Sequence, residues 1–153
     1  MIVIIFGKPG AGKNFVGDVI AENFDFYHYD ADSDIPKYLI DKIKTGQIAT
    51  DQEREDFYQI VINKIRQLKN EYKNIIVSQA LIKEKFRQMM LDEFPEAKFI
   101  WLRADKDIMA NRLASREHFV SKKYADELEK IFEEPKIEHF ILENNNGKEE
   151  IIK

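Results

Sequence analysis

The stretch that decides the fold reads Gly7-Lys8-Pro9-Gly10-Ala11-Gly12-Lys13, and it directly follows a continuously apolar segment, residues 1–6. It holds three of the chain's six glycines, so its backbone is expected to adopt positive φ angles or to approach a ligand closely. The spacing G-x-x-x-x-G-K, between a buried strand and a helix, is that of a phosphate-binding loop. Its N–H groups form a nest for phosphate oxygens, and Lys13 supplies a cation for the β- and γ-phosphates. These seven residues are therefore predicted to bind a nucleotide.

Asn14 follows the lysine, at the position where this motif carries a Ser or Thr whose hydroxyl holds Mg²⁺. An amide oxygen can also ligate the metal, but the side chain is bulkier and its oxygen lies one atom further from the backbone. Since Mg²⁺ demands tight octahedral geometry, we expect a weaker or water-mediated contact between Asn14 and the metal. A damaged active site is the alternative interpretation.

Composition narrows the class of protein. The chain has 153 residues, the length of one domain, and it contains no cysteine for disulfides, thiolate catalysis or zinc sites. A net charge of −4 argues against nucleic acid as a partner. The longest apolar run, residues 1–6, is too short to span a bilayer. We therefore predict a cytoplasmic enzyme or binding module, monomeric or homodimeric, without nucleic-acid or membrane partners.

Strand-like and helix-like segments alternate along the chain. Buried or β-branched runs predict strands at residues 1–6, 26–29, 75–77, 98–102 and 139–142. Helical spacing predicts helices at about residues 12–23, 36–44, 50–73, 83–92, 106–115, 125–132 and 148–153. This alternation predicts an α/β fold, a three-layer α/β/α arrangement around a five-stranded parallel sheet, in which ligands bind at the carboxyl ends of the strands.

Individual side chains refine these elements. Thr50 with Glu53 predicts a capping box at the start of the third long helical segment. Phe15 is expected on the apolar side of the first helix, and Tyr72 continues the apolar face of the helix that begins near residue 50. Trp101 lies in a predicted strand and is expected in the core.

Two carboxylates follow the second predicted strand in the sequence Asp30-Ala31-Asp32. Alternate residues of an extended segment point the same way, so both side chains are expected to face the ligand edge of the sheet. In phosphoryl transfer one acid can hold Mg²⁺ through water while another orients and deprotonates the attacking hydroxyl. We predict that Asp30 and Asn14 are the metal partners and that Asp32 is catalytic. The alternative is a solvated turn or a helix cap, where Asp is common.

Arginine is rarer than lysine here, six residues against eighteen, so its positions carry information. Arg112 and Arg116 are four residues apart on one helix face, and their guanidinium groups can clamp phosphates or stack on a purine. Arg54 and Arg87 lie on helices whose N-termini are expected near the cleft. A solvated helix face is the alternative for the first pair, and each member of the second pair is ambiguous by itself.

Together these segments resemble the small gluconokinases, relatives of shikimate kinase and the nucleoside monophosphate kinases. The resemblance covers nearly the whole chain. It rests on residues 7–13, Asp30-Ala31-Asp32, Pro36, Lys42, Gly46, residues 51–54, Ala80-Leu81, Phe86-Arg87, residues 99–102, residues 112–119 and Glu134-Pro135. It implies a P-loop NTPase fold in a single small-molecule kinase domain, residues 1–153, with ATP and Mg²⁺ as cofactors. It also implies a mobile lid at about residues 116–124.

The resemblance further implies roles for single side chains. Arg112 would pack on adenine, and Arg116 would act in catalysis by reaching the phosphates from the lid. Asp32 would contact the acceptor hydroxyl. Arg54 and Arg87 would bind the carboxylate or the hydroxyls of the acceptor.

Three positions depart from the family pattern by carrying aliphatic residues, Ile35, Leu39 and Ile82, in place of polar acceptor-side groups. A polyhydroxy acid would leave its polar groups unpaired there. The first hypothesis is an ATP-dependent phosphotransferase acting on a small-molecule hydroxyl, nominally converting gluconate and ATP to 6-phosphogluconate and ADP. The alternatives are a kinase for another small acceptor (shikimate-like, nucleoside or nucleotide) and a nucleotide-binding module with little turnover.

Overall fold

The computed structural model describes residues 1–115 and 122–145. The strands are β1 Ile2–Phe6, β2 Tyr27–Asp30, β3 Ile75–Ser78, β4 Lys98–Arg103 and β5 Phe140–Glu143. The helices are α1 Lys13–Phe24, α2 Lys37–Lys44, α3 Asp51–Lys69, α4 Glu84–Glu93, α5 Lys106–Ser115 and α6 Lys122–Ile131, and a 3₁₀ helix spans Ala31–Asp34. The predicted terminal helix, 148–153, and residues 116–121 of the predicted lid lie outside the described residues. Within the described ranges, no helix has both the length and the apolar character needed to cross a membrane.

Strand β1 lies in the middle of the sheet. The strand order is β2-β3-β1-β4-β5, and every neighbouring pair is parallel. Ile4 pairs in register with Val77 on one side and with Phe99 on the other. This confirms the predicted five-stranded parallel sheet. Since β3 and β4 flank β1 on opposite sides, the order of the strands reverses at β1, where the ligand crevice of such sheets opens.

The two faces of β1 pack against different helices because successive side chains of a strand point in opposite directions. Ile4 and Phe6 belong to a cluster with apolar side chains of α3 and α4. Ile5 belongs to a second cluster with apolar side chains of α1 and α5. The sheet is therefore the middle layer of three, which confirms the predicted α/β/α architecture.

Helix α3 begins where the sequence predicts and ends early. The hydroxyl of Thr50 accepts a hydrogen bond from the N–H of Glu53 at 3.1 Å, and the Glu53 carboxylate accepts one from the N–H of Thr50 at 2.9 Å. This confirms the capping box. The predicted extension to residue 73 is wrong, because the helix ends at Lys69. Tyr72 lies beyond the helix and stacks on Tyr27 with ring centroids 4.1 Å apart, which anchors the turn into β3.

Three further expectations need correction. Phe15 is 46% exposed, since the apolar side of α1 is formed by its neighbour Val16 instead. Trp101 is only half-buried, and it stacks on Phe132 with ring centroids 6.0 Å apart. Helix α6 begins at Lys122 rather than at residue 125, and its first turn already contributes the buried Tyr124.

Candidate active site

Glycines shape the loop after β1 at positions where a side chain would not fit. Gly10 and Gly12 have φ angles of 88° and 94°, a region that other residues rarely occupy. A Cβ on Gly12 would lie 2.3 Å from Nδ2 of Asn144, and one on Gly10 would lie 2.6 Å from the carbonyl oxygen of Met109. The loop therefore requires glycine at both positions for conformation and for space. Gly12 then becomes the N-cap of α1.

Side chains from distant segments hold the outer side of this loop. Nη1 of Arg112 donates to the carbonyl oxygens of Gly10 and Ala11, both at 3.1 Å. Nδ2 of Asn144 donates to the Ala11 carbonyl at 2.9 Å, and Nη2 of Arg112 donates to the Asn144 carbonyl at 2.6 Å. Because the C=O and N–H of one trans peptide point in opposite directions, fixing the Ala11 carbonyl turns the N–H of Gly12 the other way. Gly12 is also one of the residues that line a cleft.

The two lysines of the loop point in different directions. Nζ of Lys13 donates to the carbonyl oxygens of Gly7 and Lys8, at 3.0 and 3.1 Å, and so lies across the mouth of the loop. The Lys8 ammonium instead pairs with Glu129 at 2.7 Å. Lys8 and Pro9 line a separate groove between the loop, α5 and α6. Lys13 is thus the lysine of the loop that lines the cleft.

A small cleft at the carboxyl ends of β1, β2 and β3 brings the predicted loop and acid residues together. Its lining residues are Gly10, Gly12, Lys13, Asn14, Asp30, Asp32 and Ser78. Nδ2 of Asn14 donates to Oδ2 of Asp30 at 2.9 Å, and Oδ1 of Asp30 accepts from the N–H of Asp32 at 2.9 Å. Asp30 therefore caps the 3₁₀ helix, as the alternative interpretation expected, and also contacts the first helix of the phosphate-binding motif.

Asp32 is held in the cleft by Gln79, a residue that the sequence analysis did not single out. Nε2 of Gln79 donates to Oδ1 of Asp32 at 2.9 Å. Oε1 of the same amide accepts from the N–H of Ala80 at 2.6 Å, so the nitrogen is the atom that faces the carboxylate. A carboxylate positioned in this way can accept the proton of an attacking hydroxyl.

Asn14 and Asp30 present the oxygen ligands that Mg²⁺ prefers, an amide and a carboxylate. Oδ1 of Asn14 accepts from the hydroxyl of Ser78 at 2.7 Å, and an amide oxygen has a second lone pair. Within residues 1–115 and 122–145, no group of three or more His, Asp or Glu side chains could hold a metal ion. The residues therefore fit a Mg²⁺ that keeps several waters and takes further oxygens from a bound phosphate, as is usual for this ion.

Polar side chains of α3 and α6 interact with one another and with the charge of Asp32. Arg54 is buried, its Nε donates to the carbonyl oxygen of Ala49 at 3.4 Å, and its guanidinium hydrogen-bonds the phenol of Tyr124. Its Nη2 has no hydrogen-bond partner among the described residues. Burial raises the pKa of the Tyr58 and Tyr124 phenols, and the Asp32 carboxylate adds to the effect. Both hydroxyls therefore stay protonated and can donate hydrogen bonds.

Arg87, predicted to bind the acceptor, lies fully buried in the protein. Its Nε donates to the carbonyl oxygen of Leu81 at 2.8 Å, and Nη1 contacts the Glu84 carboxylate at 3.3 Å. Its guanidinium carbon lies 4.8 Å from the ring centroid of Phe6 and 5.2 Å from that of Phe132. Burial lowers the pKa of this guanidinium. Arg87 thus packs inside the protein and is not among the residues that line the cleft. Its Nη2 has no hydrogen-bond partner among the described residues, and its role in binding the acceptor stays a prediction.

The structure describes only one of the two other arginines that were predicted to act at the site. Arg112 binds the outer side of the loop, and its packing on adenine stays a prediction. Arg116 lies outside the described residues, so its catalytic role also stays a prediction.

Comparison with known protein families matches residues 3–134 to the AAA domain. The chain belongs to this family. Its similarity to individual proteins is more specific. It is 25% identical over 119 residues to the thermoresistant gluconokinase of Escherichia coli K12, across 77% of this chain and 68% of that protein. This relative confirms the resemblance to gluconokinases.

Solved structures of other proteins share the fold of this chain. A sugar kinase from Janibacter sp. HTCC2649 superposes with a TM-score of 0.85 at 17% identity, over 99% of this chain and 89% of that chain. A gluconokinase from Sinorhizobium meliloti 1021 superposes with a TM-score of 0.82 at 21% identity, over 98% of this chain and 86% of that chain. At these identities the superpositions establish the fold.

Five side chains of this AAA domain join the site without having been predicted. Ser78 and Gln79 end and follow β3 as Asp30 and Asp32 end and follow β2, so the same strand-end signal could have found them. Asn144 directly follows β5 in the same manner. No local sequence pattern marked Tyr58 and Tyr124 as site residues. Each lies on the buried face of its helix, where an aromatic residue is indistinguishable in sequence from an ordinary core residue.

Proposed function

We propose that this chain is an ATP-dependent kinase that phosphorylates a hydroxyl of a small polyhydroxy acid, with gluconate as the first candidate acceptor. The observation that carries the proposal is the cleft in which the phosphate-binding loop, Lys13 and Asp32 meet. The similarity to gluconokinases supports gluconate as the acceptor. ATP with Mg²⁺, a cytoplasmic location and a monomeric or homodimeric state accompany the proposal as predictions.

The loop and Lys13 bind the phosphates in this proposal. The N–H groups of the loop and the Lys13 ammonium hold phosphate oxygens and neutralise the charge that builds up during transfer. Asn14 and Asp30 would hold Mg²⁺, which supplies further charge neutralisation when bound. Asp32, fixed by Gln79, orients the acceptor hydroxyl and takes its proton. Catalysis then rests on positioning and electrostatics rather than on a covalent intermediate.

Arg54 and the two phenols supply the acceptor side. The unpartnered Nη2 of Arg54 is a buried cationic donor, and such a group favours a carboxylate or a hydroxyl as its partner. Tyr58 and Tyr124 add donors within electrostatic reach of Asp32. This set of donors suits an acidic, hydroxylated acceptor.

A second candidate acceptor is a small alcohol with fewer hydroxyls. Leu39 is 3% exposed and Ile82 is fully buried, while Ile35 packs against the same core as Leu39. The three aliphatic side chains therefore fill core positions and offer no hydrogen bonds to a ligand. A pocket without those bonds discriminates less in favour of a polyhydroxy acid.

An acceptor panel tests the proposal. ADP release is measured with ATP and Mg²⁺ in the presence of gluconate, shikimate or deoxyadenosine, with Lys13→Met as the inactive control. We expect the highest kcat/KM with gluconate. ADP formed only with another acceptor would contradict gluconate as the acceptor and would still support kinase activity. Stabilisation by ATP without ADP formation from any acceptor would instead support a binding module without turnover.

A further inference from the structure

A line of hydrogen bonds runs from the protein surface to the phosphate-binding cleft. Oδ1 of Asp18 lies 2.7 Å from Nδ1 of His28, and Nε2 of His28 lies 2.9 Å from the hydroxyl of Ser78. That hydroxyl donates to Oδ1 of Asn14 at 2.7 Å, and Nδ2 of Asn14 donates to Asp30 at 2.9 Å. The line joins α1 and β2, which are neighbours in sequence, to the distant strand β3.

The fold provides space for this line. The His28 side chain is only 10% exposed, whereas the Asp18 side chain at the outer end is 66% exposed. The imidazole packs against α1 at Gly17, where a Cβ would lie 2.5 Å from Nε2 of His28. Ser78, in the middle of the line, is 2% exposed. A glycine in the interior of a helix costs about 1 kcal/mol relative to alanine. The close approach of the His28 ring explains why a glycine occupies position 17 despite this cost.

The acceptors at the two ends fix the direction of the bonds. An ionised carboxylate only accepts, so the nitrogen of the Asn14 amide faces Asp30 and its oxygen faces Ser78. Ser78 has one proton, which it gives to Asn14, so its oxygen accepts from Nε2–H of His28. The second ring nitrogen lies against the Asp18 carboxylate, and it donates there only when the ring carries both protons.

We propose that Ser78 and His28 are positioning residues that hold the Asn14 amide in one orientation. Without the Ser78 hydroxyl, the amide oxygen of Asn14 loses its donor. The bond from the amide nitrogen to Asp30 would then hold the side chain at one end only. The inference rests on the proposed function, because the orientation of the Asn14 amide affects activity only if the cleft binds a metal–nucleotide complex. The line holds Asn14 where the motif otherwise presents a hydroxyl.

The first test reads the amide directly in the free protein. In a ¹⁵N–¹H spectrum, the Asn14 side-chain pair is identified by its absence in Asn14→Asp. Ser78→Ala should shift this pair and speed its exchange with water, and Ser78→Thr, which keeps the hydroxyl, should restore it. Ser33→Ala is the matched control, since that hydroxyl donates to the carbonyl oxygen of Asp30 outside the line, at 2.7 Å. An unchanged Asn14 pair in Ser78→Ala would overturn the proposal.

The second test reads the consequence for the nucleotide. Calorimetry gives ATP affinity with and without Mg²⁺. Ser78→Ala should reduce the gain in affinity that Mg²⁺ produces by about tenfold, the lower end of the effect of groups that orient metal ligands. Affinity without Mg²⁺ should change by less than about twofold, because the loop is untouched. Gly17→Ala, which displaces the His28 ring, should act in the same direction.

The outcomes separate the two proposals. Equal losses with and without Mg²⁺ would make Ser78 merely structural and overturn the inference. A wild-type affinity that does not respond to Mg²⁺ would overturn it as well. Absence of gluconate turnover, with the Mg²⁺ effect intact and sensitive to Ser78→Ala, would contradict the gluconate assignment and support the inference.

Discussion

Asp32 owes its orientation to the Gln79 amide, and its role can be separated from nucleotide binding. Asp32→Asn keeps the shape of the side chain and removes its basicity. We expect kcat to fall by about 10²–10⁴-fold, the usual contribution of a general base, with ATP affinity changed by less than about twofold. Steady-state kinetics and calorimetry of ATP binding measure the two quantities.

The matched control for this variant lies on the same 3₁₀ helix. Asp34→Asn alters a carboxylate that accepts from the phenol of Tyr29 and does not line the cleft. It should leave kcat within about twofold, because Asp34 does not line the cleft and an Asn side chain keeps an oxygen that can accept from Tyr29. Equal losses of kcat and of ATP affinity in Asp32→Asn would show that Asp32 has a structural role only.

Arg87 makes a different prediction at the residue scale, because its contacts are all internal. Arg87→Met keeps much of the volume and removes the bond to the Leu81 carbonyl, leaving a buried acceptor unpaired. We expect the free energy of unfolding to fall by about 2 kcal/mol. Urea denaturation measures the change, and a raised KM for the acceptor at unchanged stability would contradict the packing role.

At the scale of elements, Asp51 ties the N-terminus of α3 to the N-terminal region of α4. Hydrogen bonds from Lys83 and Lys85 lower the pKa of the Asp51 carboxyl to about 2. A carboxyl whose folded pKa lies below its unfolded value stabilises the fold above the unfolded pKa. That contribution is lost as pH falls. We expect part of the stability to disappear between about pH 4 and pH 2.

Urea denaturation at a series of pH values checks the Asp51 prediction. Asp51→Asn should flatten the curve in this window. Asp56→Asn, whose carboxylate on the same helix accepts from Gln52 instead, should leave the slope unchanged. The Asp51 side chain is 45% exposed, so 1 M NaCl should weaken the effect. The same dependence of unfolding free energy on pH in the wild type and in Asp51→Asn would contradict a stabilising contact of Asp51 with Lys83 and Lys85.

The N-terminal cap of α3 leads to a further prediction at the scale of elements, with a smaller expected change in stability. Thr50→Ala removes the acceptor for the Glu53 N–H and should lower the free energy of unfolding by about 1 kcal/mol. Thr45→Ala serves as the control, since its hydroxyl donates to the Lys42 carbonyl at the end of α2 and caps no N-terminus. Denaturation midpoints compare the two variants. A larger loss in Thr45→Ala than in Thr50→Ala would contradict the importance of the capping box.

At the scale of the whole molecule, local patterns predicted more than distant contacts did. The loop, Asn14 and Asp30 could be placed together because motif and strand ends determine their positions from nearby sequence. The packing of Arg87 between Phe6 and Phe132 depends on three segments far apart in the chain, and no local pattern encodes it. The end of α3 was missed for the same reason, since Tyr72 finds its partner on β2.

The strand order has the same origin. Alternating strands and helices indicate a parallel sheet, but they do not specify which strands lie beside β1. In the structure these neighbours are β3 and β4. This choice brings Ser78 and Gln79, at the end of β3, beside the loop. The site residues that sequence analysis missed are thus mainly those which the sheet topology supplies.

Binding of ATP should stabilise the whole molecule, because the loop draws on contacts from β1, α1, α5 and Asn144. A ligand at 100 times its Kd adds about 2.7 kcal/mol to the free energy of unfolding. For a domain of about 150 residues, each kcal/mol raises Tm by about 2–4 °C, so we expect a shift of about 5–10 °C. Thermal denaturation with ATP measures it. Lys13→Met should lose most of the shift, while Lys37→Met, at an exposed pair with Asp41, should keep it. A full shift in Lys13→Met would place nucleotide binding elsewhere than in this loop.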